Sequence, residues 1–433
     1  MSVTATASPA WLTAVLEGGR ALPASPAVWL NTRRAAALEC ANALTVPTSS
    51  DEDWRFTDLS PLRKFSYQAV WSGAVSADEI AGFVIPESDT RLVFVDGRYS
   101  AELSVSVGAS VCTLTEGLKS HGPLIEQHLA QHADFGQRVF TALNTAWLRD
   151  GALVLLERNA NLATPVHVLF VTTSPGAALC PRVLVVADVG AQCTLIEDYV
   201  QLTDGPYFNN AVTEVVVGSG ANVRHVRVQR EALEAVHVGT TAVSVAKDAH
   251  YSTQSVAFGA RLSRLDLNVR QMGEGAQVQI DGLALIRGEQ VADTHSSMDH
   301  AHPHGRCAQV HKTIVGGRAH AVFNGKVLVR EGAQLTNSAQ QSRNLLLSPK
   351  ARVDTKPQLE IFADDVKCAH GATVGQLDAE QLFYLKSRGL ADQAARNLLT
   401  YAFGAEIIQR IPVPSLVTQL QRAVLTQTGA DIR

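Results

Sequence analysis

Charged residues are scarce in this sequence. Asp, Glu, Lys and Arg make up 18% of its 433 residues, whereas about a quarter is typical of soluble proteins. The formal net charge is −4, which excludes a strongly basic nucleic-acid binder because phosphate neutralisation needs clustered cations. Hydrophobic residues reach 46%, which excludes disorder for most of the chain. A soluble chain with so little charge is expected to bury extra surface, in one long core or against partners.

Paired cysteines and long apolar runs are also missing. The six cysteines are far apart and form no CxxC pair, which disfavours a disulfide framework or a structural zinc site and favours a reducing cytosol. No uncharged apolar run reaches the ~18 residues of a membrane helix. Residues 1–10 lack the basic and apolar regions of a secretory signal, so we expect a cytoplasmic protein. The cysteines are Cys40, Cys112, Cys180, Cys193, Cys307 and Cys368.

Three nucleotide-binding or catalytic motifs are absent as well. The sequence has no GxxxxGK[ST] phosphate loop, so we expect that this chain binds and hydrolyses no ATP itself. It also lacks GxGxxG and GxSxG, which removes the simplest dinucleotide-binding and hydrolase interpretations.

Residues 1–150 are predicted to form a mostly helical domain with one β-hairpin. Leu12, Val15 and Leu16 share one helix face, and helical character returns from Leu118 to Arg149. Between them, Asp96-Gly97 separates two short strand-like runs, which is a strong hairpin signal.

Residues 151–375 show a repeat of 27 to 30 residues, in which a small-residue pair precedes an alternating strand. This period is typical of a solenoid. No long amphipathic helix separates the repeats, so we predict a β-helix core that buries a continuous apolar interior. The alternative is a β-sandwich with coincidental spacing. The pairs are Gly190-Ala191, Gly220-Ala221, Asp248-Ala249, Gly275-Ala276, Gly305-Arg306 and Gly332-Ala333.

Residues 376–433 are predicted to be helical again. Apolar residues form a broad stripe between Ala391 and Arg410, and an amphipathic pattern follows from Leu416 to Leu425. Such a tail could cap the open end of a solenoid, pack on its side, or dock a partner protein.

Two groups of residues could carry chemistry. His295, His300, His302 and His304 lie beside Asp293 and Asp299, and imidazole with carboxylate suits borderline metals. The competing interpretation is a solvated turn, because Pro303 and Gly305 interrupt the group.

The second group is Cys368 with His370. On a strand the two side chains would share one face, and a nearby imidazolium would lower the thiol pKa and make it a better ligand for iron. The alternative is a core cysteine beside a surface histidine.

The run from Ala339 to Leu390, with WRFTDL at 54–59, DHAHPHG at 299–305 and FNGKVLV at 323–329, resembles the SufB/SufD family, whose members are subunits of the SufBCD iron–sulfur cluster assembly complex. Cys368-Ala369-His370-Gly371 has the form of the SufD branch, without the Glu that the SufB branch carries beside the histidine. The resemblance implies a right-handed parallel β-helix between helical N- and C-terminal domains.

It also implies a non-catalytic scaffold subunit with two protein partners. SufB would pair with the C-terminal end of the β-helix, so that the sheets continue across the interface. The helical tail would dock the ATPase SufC, with Arg388, Leu398, Tyr401 and Phe403 in or near that surface.

Cys368 and His370 would lie at the SufB interface and help to form the nascent iron–sulfur cluster or admit iron. The cluster would be transient and shared with SufB, since one Cys–His pair cannot hold it alone. Closure of two SufC subunits on ATP would strain this junction and expose the site.

Two other classes of protein compete with the scaffold. A polysaccharide-acting β-helix enzyme would need a cleft of carboxylates, and the Asp and Glu residues show no clustering at one repeat position. A metal-dependent oxygenase or isomerase would use the histidines from His295 to His304 and would hold a tight metal without partners.

Overall fold

The computed structural model describes residues 9–70, 73–105, 108 and 110–428. Strands hold 40% of the chain and helices 25%, and the strands form a β-solenoid of about 8 turns. This confirms the prediction of a mainly β protein with a parallel β-helix core and helices at both ends.

Short helices and strands precede the solenoid. Two 3-10 helices, Glu52–Trp54 and Ala81–Phe83, lie among them. The other elements are α1 (Ala10–Arg20), α2 (Val28–Ala43), α3 (Ser60–Arg63), β1 (Gln68–Ala69), α4 (Ala77–Ile80), β2 (Thr90–Val95), β3 (Arg98–Tyr99), β4 (Val111–Thr113), α5 (Leu114–Ser120), α6 (Gly122–His128) and α7 (Val139–Ala146).

The predicted hairpin is confirmed. β2 and β3 pair antiparallel, with Phe94 opposite Tyr99. Asp96 and Gly97 have φ values of 45° and 76°, the left-handed conformation that a tight two-residue hairpin turn requires. The Asp96 carboxylate also accepts a hydrogen bond of 2.8 Å from the Thr173 N–H, which ties the turn to the solenoid.

The predicted face of the first helix is buried, because Leu12, Val15 and Leu16 all lie in the core. The helical stretch predicted from Leu118 to Arg149 is interrupted between α6 and α7. There the backbone N–H groups of residues 130–133 donate to the buried Glu214 carboxylate at 2.6 to 3.0 Å. A chain segment wrapped around a carboxylate in this way cannot use the same donors in a helix.

Seventeen described strands follow, and most of them have about ten residues. They are β5 (Ala152–Leu156), β6 (Val166–Thr172), β7 (Ala177–Leu179), β8 (Arg182–Ala187), β9 (Gln192–Gln201), β10 (Phe208–Val217), β11 (Asn222–Arg230), β12 (Val236–Val245), β13 (His250–Ala257), β14 (Leu262–Gln271), β15 (Gln277–Ile286), β16 (Val291–His300), β17 (Arg306–Val315), β18 (His320–Val329), β19 (Thr336–Leu346), β20 (Arg352–Ile361) and β21 (Val366–Gly375).

The strands form two parallel sheets, and from β8 to β21 successive strands alternate between them. Sheet A runs β20-β18-β16-β14-β12-β10-β8-β5 and ends on β4, whereas sheet B runs β21-β19-β17-β15-β13-β11-β9-β6 and ends on β2 and β3. Neighbours in a sheet come from consecutive coils, so residues about 30 apart stack in register. Cys307, Ser338 and Cys368 form one such stack.

The small-residue pairs mark the turns before sheet B, but two of the six predicted positions are wrong. Gly190, Gly220, Asp248 and Gly275 all have positive φ. In the next two coils the left-handed residues are His304 and Leu335, not Gly305 and Gly332. The backbone hydrogen-bond ladder fixes these positions, since His304 N–H donates to Gln334 O at 3.0 Å whatever its side chain.

The strands alternate as predicted, but the interior is not continuously apolar. Val226 and Val228 point outward and pack in a cluster with the C-terminal helices. His225 and Arg227 point inward instead and are buried. The solenoid therefore carries charge inside and apolar residues on part of its outer face, where helices cover it.

Helices cover one face of each sheet. α1 and α7 pack over sheet A, and the C-terminal helices pack over sheet B, mainly on β15 and β17. These helices are α8 (Ala379–Ser387), α9 (Asp392–Ile408) and α10 (Pro414–Thr428). Of the arrangements open for the tail, packing on the side is the one observed, and the C-terminal end of the solenoid is left uncovered by any described helix.

Candidate functional site

The last coil leaves two sheet edges unpaired. β20 and β21 end their sheets, and no strand in the described part of the chain pairs with their outer edges. Ile361, Phe362 and Val374 are exposed there, and Phe362 is 64% exposed. Unpaired backbone beside exposed apolar side chains is a template for another chain.

Cys368 and His370 lie on β21 at this open end. Two residues apart on one strand, they point to the same side of the sheet. Cys368 is half-buried and packs against a buried cluster that includes Val327 and Val329, whereas His370 is exposed. The predicted pairing of thiol and imidazole on one face therefore exists, and both groups belong to the rim of the lumen.

The expectation of an activated thiolate is wrong for this chain by itself. Burial raises the pKa of the Cys368 thiol above its ordinary value, and a hydrogen bond from the Ser338 backbone N–H offsets only part of that effect. A thiol with a raised pKa is less often a thiolate, the form that binds metals.

Other thiols are less suited to chemistry. Burial raises the pKa of Cys112 to about 11 and those of Cys193 and Cys307 to about 12. It raises the pKa of Cys180 as well. Buried thiols held in the protonated form behave as small apolar side chains.

A column of polar residues continues inward from Cys368 and His370. We call the inward-facing polar residues of β17, β19 and β21 the open-end column. Gln340 Nε2 donates to Gln309 Oε1 at 3.2 Å, and Ser296 Oγ donates to the same oxygen at 2.8 Å across the lumen. The column consists of Cys307, Gln309, His311, Ser338, Gln340, Ser342, Cys368 and His370.

Several polar atoms of this column are buried without a partner. They include Gln309 Nε2, His311 Nε2, Ser338 Oγ and Gln340 Oε1. Burial lowers the pKa of His311 to about 3, so its imidazole is neutral. Sequence reasoning missed this column, although stepping back by one coil of about 30 residues from Cys368 and His370 reaches Ser338 and Gln340.

The histidines from His295 to His304 do not converge on one site. His295 Nε2 lies 3.0 Å from Asp293 Oδ1 on sheet A, below the N-terminal segment. His300 is buried and lies 3.1 Å from Gln271 Oε1, whereas His302 and His304 are exposed in the following turn. Because β16 ends at His300, alternation no longer aligns His302 with it, and the interpretation of this group as a metal site is wrong.

A second polar cluster lies deeper in the lumen. We call Glu197, Tyr199, His225, Arg227, Glu231 and His237 the deep polar cluster. Glu197 accepts from Thr213 Oγ1 at 2.7 Å and from Tyr199 OH at 2.9 Å. His237 Nδ1 lies 2.6 Å from Glu231 Oε2. Burial alone would raise the pKa of Glu231, but the His237 imidazole and the hydrogen bonds outweigh it and lower that pKa.

Two absences limit what the described residues can do alone. Among them, no group of three or more His, Cys, Asp and Glu side chains is placed to hold a metal ion. No helix in the same ranges is both long and apolar enough to cross a membrane. Cys368 and His370 therefore do not belong to a complete metal site within the described residues.

Comparison with known proteins identifies the family. Residues 170–403 match the family model of the SUF system for FeS cluster assembly, SufBD core domain. Residues 17–168 match the model of the SufBD protein N-terminal region. The chain belongs to the SufBD family. This confirms the resemblance drawn from the motifs.

Relatives with known names support the same assignment. The chain is 42% identical over 416 residues to an iron–sulfur cluster assembly SufBD family protein of Synechocystis, covering 92% of this chain and 91% of the relative. It is 32% identical over 380 residues to the iron–sulfur cluster assembly protein SufD of Escherichia coli, covering 87% and 88%. The SufD of Bacillus subtilis is 27% identical over 408 residues, covering 90% and 92%.

The SufBD motifs noted in the sequence have structural places. In WRFTDL, the Trp54 ring lies 3.8 Å from the Arg264 guanidinium. Arg264 Nη1 donates to Asp53 O at 2.8 Å and to Asp293 Oδ2 at 2.5 Å. Thr57 donates to the same buried carboxylate. This motif therefore fastens the N-terminal segment to sheet A.

The FNGKVLV motif contributes a residue to the lumen instead. Gly325 faces Gln340 across the interior, and a Cβ at position 325 would lie 2.5 Å from Gln340 Cδ and 2.7 Å from its Oε1. Glycine at position 325 leaves room for the Gln340 amide, and the motifs around residues 325 and 340 meet one coil behind Cys368 and His370.

The four residues that the resemblance implied for partner contact differ in exposure on the helical tail. Leu398 is exposed, as are the nearby Phe383 and Tyr384. Arg388 lies over the Tyr384 ring at 5.3 Å. Tyr401 and Phe403 are partly buried and pack against the apolar cluster on sheet B.

Proposed function

We propose that this chain is a non-catalytic scaffold subunit of a SufBCD-type complex that assembles iron–sulfur clusters in the cytoplasm. The observation that carries the proposal is the uncapped end of the solenoid, where unpaired edges, exposed apolar side chains and the Cys368–His370 pair occur together. Membership of the SufBD family supports it.

SufB is the partner proposed for the open end. Edge strands β20 and β21 would pair with strands of SufB, which extends both sheets and satisfies the free backbone groups. Closure of that junction would also cover Ile361, Phe362 and Val374, whose exposure is otherwise unfavourable.

Cys368 and His370 would then face ligands contributed by SufB. Iron and the nascent cluster are the cargo of this site, held transiently and shared between the two subunits. Thiolate and imidazole are both ligands of iron–sulfur centres. Metal binding would also overcome the raised pKa of Cys368, since a coordinating thiol loses its proton.

The exposed face of the helical tail is the surface proposed for the ATPase SufC. It presents Phe383, 75% exposed, with Tyr384 and Leu398. ATP would be bound and hydrolysed by SufC alone, and its closure would strain the junction with SufB and open the Cys368–His370 site to iron and sulfur.

Co-purification of this chain with SufB and SufC tests the two interfaces separately. Val374→Lys places a charge in the open end and is expected to abolish capture of SufB. Val28→Lys, at a 76% exposed position on α2, is the matched control and should retain it. Equal capture by both variants would contradict the proposed interface.

The tail is tested with Phe383→Ala combined with Leu398→Ala. This double variant is expected to lose SufC while keeping SufB, because the two surfaces lie on different elements. Retention of SufC at the level of the unchanged chain would remove the tail from the proposed contact.

A further inference from the structure

The residue directly behind His370 has a carbonyl without a partner. Gln340 on β19 lies in register with His370 on β21, and Gln309 on β17 lies in register with Gln340. Neighbouring strands are about 4.8 Å apart, so side chains stacked in this way are within hydrogen-bonding reach of each other. Gln340 is buried, and its Oε1 accepts no hydrogen bond in the described structure.

The amide of Gln340 is oriented from behind. Its Nε2 donates to Gln309 Oε1 at 3.2 Å. That oxygen is held in turn by the Ser296 hydroxyl at 2.8 Å. Because Nε2 is used by Gln309, Oε1 is the atom of this amide that is left free.

The amide is also restricted from the opposite sheet. Gly325 lies so close to the amide that a Cβ at position 325 would overlap Nε2 first, and would lie 2.5 Å from Cδ and 2.7 Å from Oε1. The hydrogen bond to Gln309 and the close approach of Gly325 thus both restrict the amide. A buried acceptor fixed in position but unused points to a donor that approaches it.

We propose that Gln340 is the positioning residue for His370. When the exposed His370 side chain turns toward Gln340, one imidazole N–H donates to Oε1, which fixes the ring and its tautomer and leaves the other nitrogen free at the open end. This inference rests on the proposed function for the use of that free nitrogen as an iron ligand. Histidines that bind metals commonly have their second nitrogen held by such an acceptor.

The test measures the neutral tautomers of His370 in the isolated full-length chain by ¹⁵N NMR with labelled histidine, the signal being assigned by its loss in His370→Asn. One tautomer is expected to dominate in the unchanged chain. In Gln340→Met, which has similar length but no acceptor, the tautomer ratio is expected to fall about fivefold, the factor that one net hydrogen bond contributes.

Two further variants separate positioning from structural damage. Gln340→Glu in its neutral form keeps a donor for Gln309 and an acceptor for His370, so it should restore the dominant tautomer. Gln341→Met, on the exposed side of the same strand, should leave the ratio unchanged. A ratio in Gln340→Met equal to that of the unchanged chain would overturn the proposal.

The proposed function fails in a different way. If the tautomer responds as expected but SufB-containing complexes of His370→Ala assemble clusters normally, the positioning role stands and the role of His370 in assembly is wrong. If the tautomer does not respond, Gln340 is excluded as the positioning residue whatever the cluster yield.

Discussion

The deep polar cluster and the open-end column occupy the same lumen but are built differently. In the deep polar cluster, each buried carboxylate is surrounded by donors, as Glu231 is by His237, Asn209 and Gln229 at 2.6 to 2.9 Å. In the open-end column, uncharged amides and hydroxyls leave several buried atoms without partners. The comparison shows that polar residues inside one solenoid can satisfy each other's hydrogen bonds in one coil and leave donors and acceptors unpaired in another.

The largest effect is expected from the deep polar cluster. Glu231→Ala removes the acceptor of three buried donors, which lie on His237, Asn209 and Gln229, so the free energy of unfolding should fall by about 3–5 kcal/mol. His370→Ala, at the exposed end, should change it by less than about 0.5 kcal/mol. Chemical denaturation measures both, and similar losses in the two variants would erase the distinction.

Acid should destabilise the protein through His311. Its pKa is lowered by burial to about 3 in the folded state, so the unfolded chain takes up a proton first as pH falls below about 6.5. Stability from this group is complete above that pH and is lost on acidification, by about 2 kcal/mol at pH 5.

His311→Gln should flatten that part of the pH dependence, whereas His302→Gln in the exposed turn should not. Unfolding free energies measured between pH 7 and pH 5 give the comparison. An unchanged slope in His311→Gln would mean that water or another group compensates the buried imidazole.

A smaller effect is expected from crowding the open-end column. Gly325→Ala should cost about 1.5 kcal/mol, because its Cβ would overlap the Gln340 amide held against it. Gly371→Ala on β21 is the matched control, since a Cβ there meets no atom within 4 Å. If denaturation showed equal stability for the two, Gln340 would be free to move away.

The smallest difference is kinetic and distinguishes the outer and inner thiols of the column. Cys368 is half-buried and Cys307 is buried, and burial raises the pKa of Cys307 to about 12. Alkylation of the native chain, followed by peptide mass spectrometry, should therefore label Cys368 before Cys307. Addition of SufB should slow the labelling of Cys368, and equal labelling of both thiols would show that the end coil opens readily.

Local signals predicted much of the fold. Asp96-Gly97 specified its hairpin because the turn depends on those two residues alone. The coil period gave the solenoid, yet it misplaced the turns at His304 and Leu335, where the backbone ladder imposes a left-handed residue without help from glycine. The interior position of His225 and Arg227 was also not predictable, since alternation does not say which side faces the lumen.

The site was only half predictable for a related reason. Cys368 and His370 are two residues apart and visible in the sequence, whereas Ser338, Gln340 and Gly325 reach them only through stacking of coils and contact across the lumen. The histidines near 300 show the opposite error, because closeness in sequence did not become closeness in space once β16 ended.

The central claim is that the open end of this solenoid contributes His370 to cluster assembly with SufB. The most direct measurement is the iron and acid-labile sulfide content of anaerobically reconstituted complexes of this chain with SufB and SufC. Complexes with His370→Ala should remain intact and hold clearly less iron and sulfide than complexes with His302→Ala, which alters an exposed histidine elsewhere. Equal content in the two intact complexes would contradict the claim.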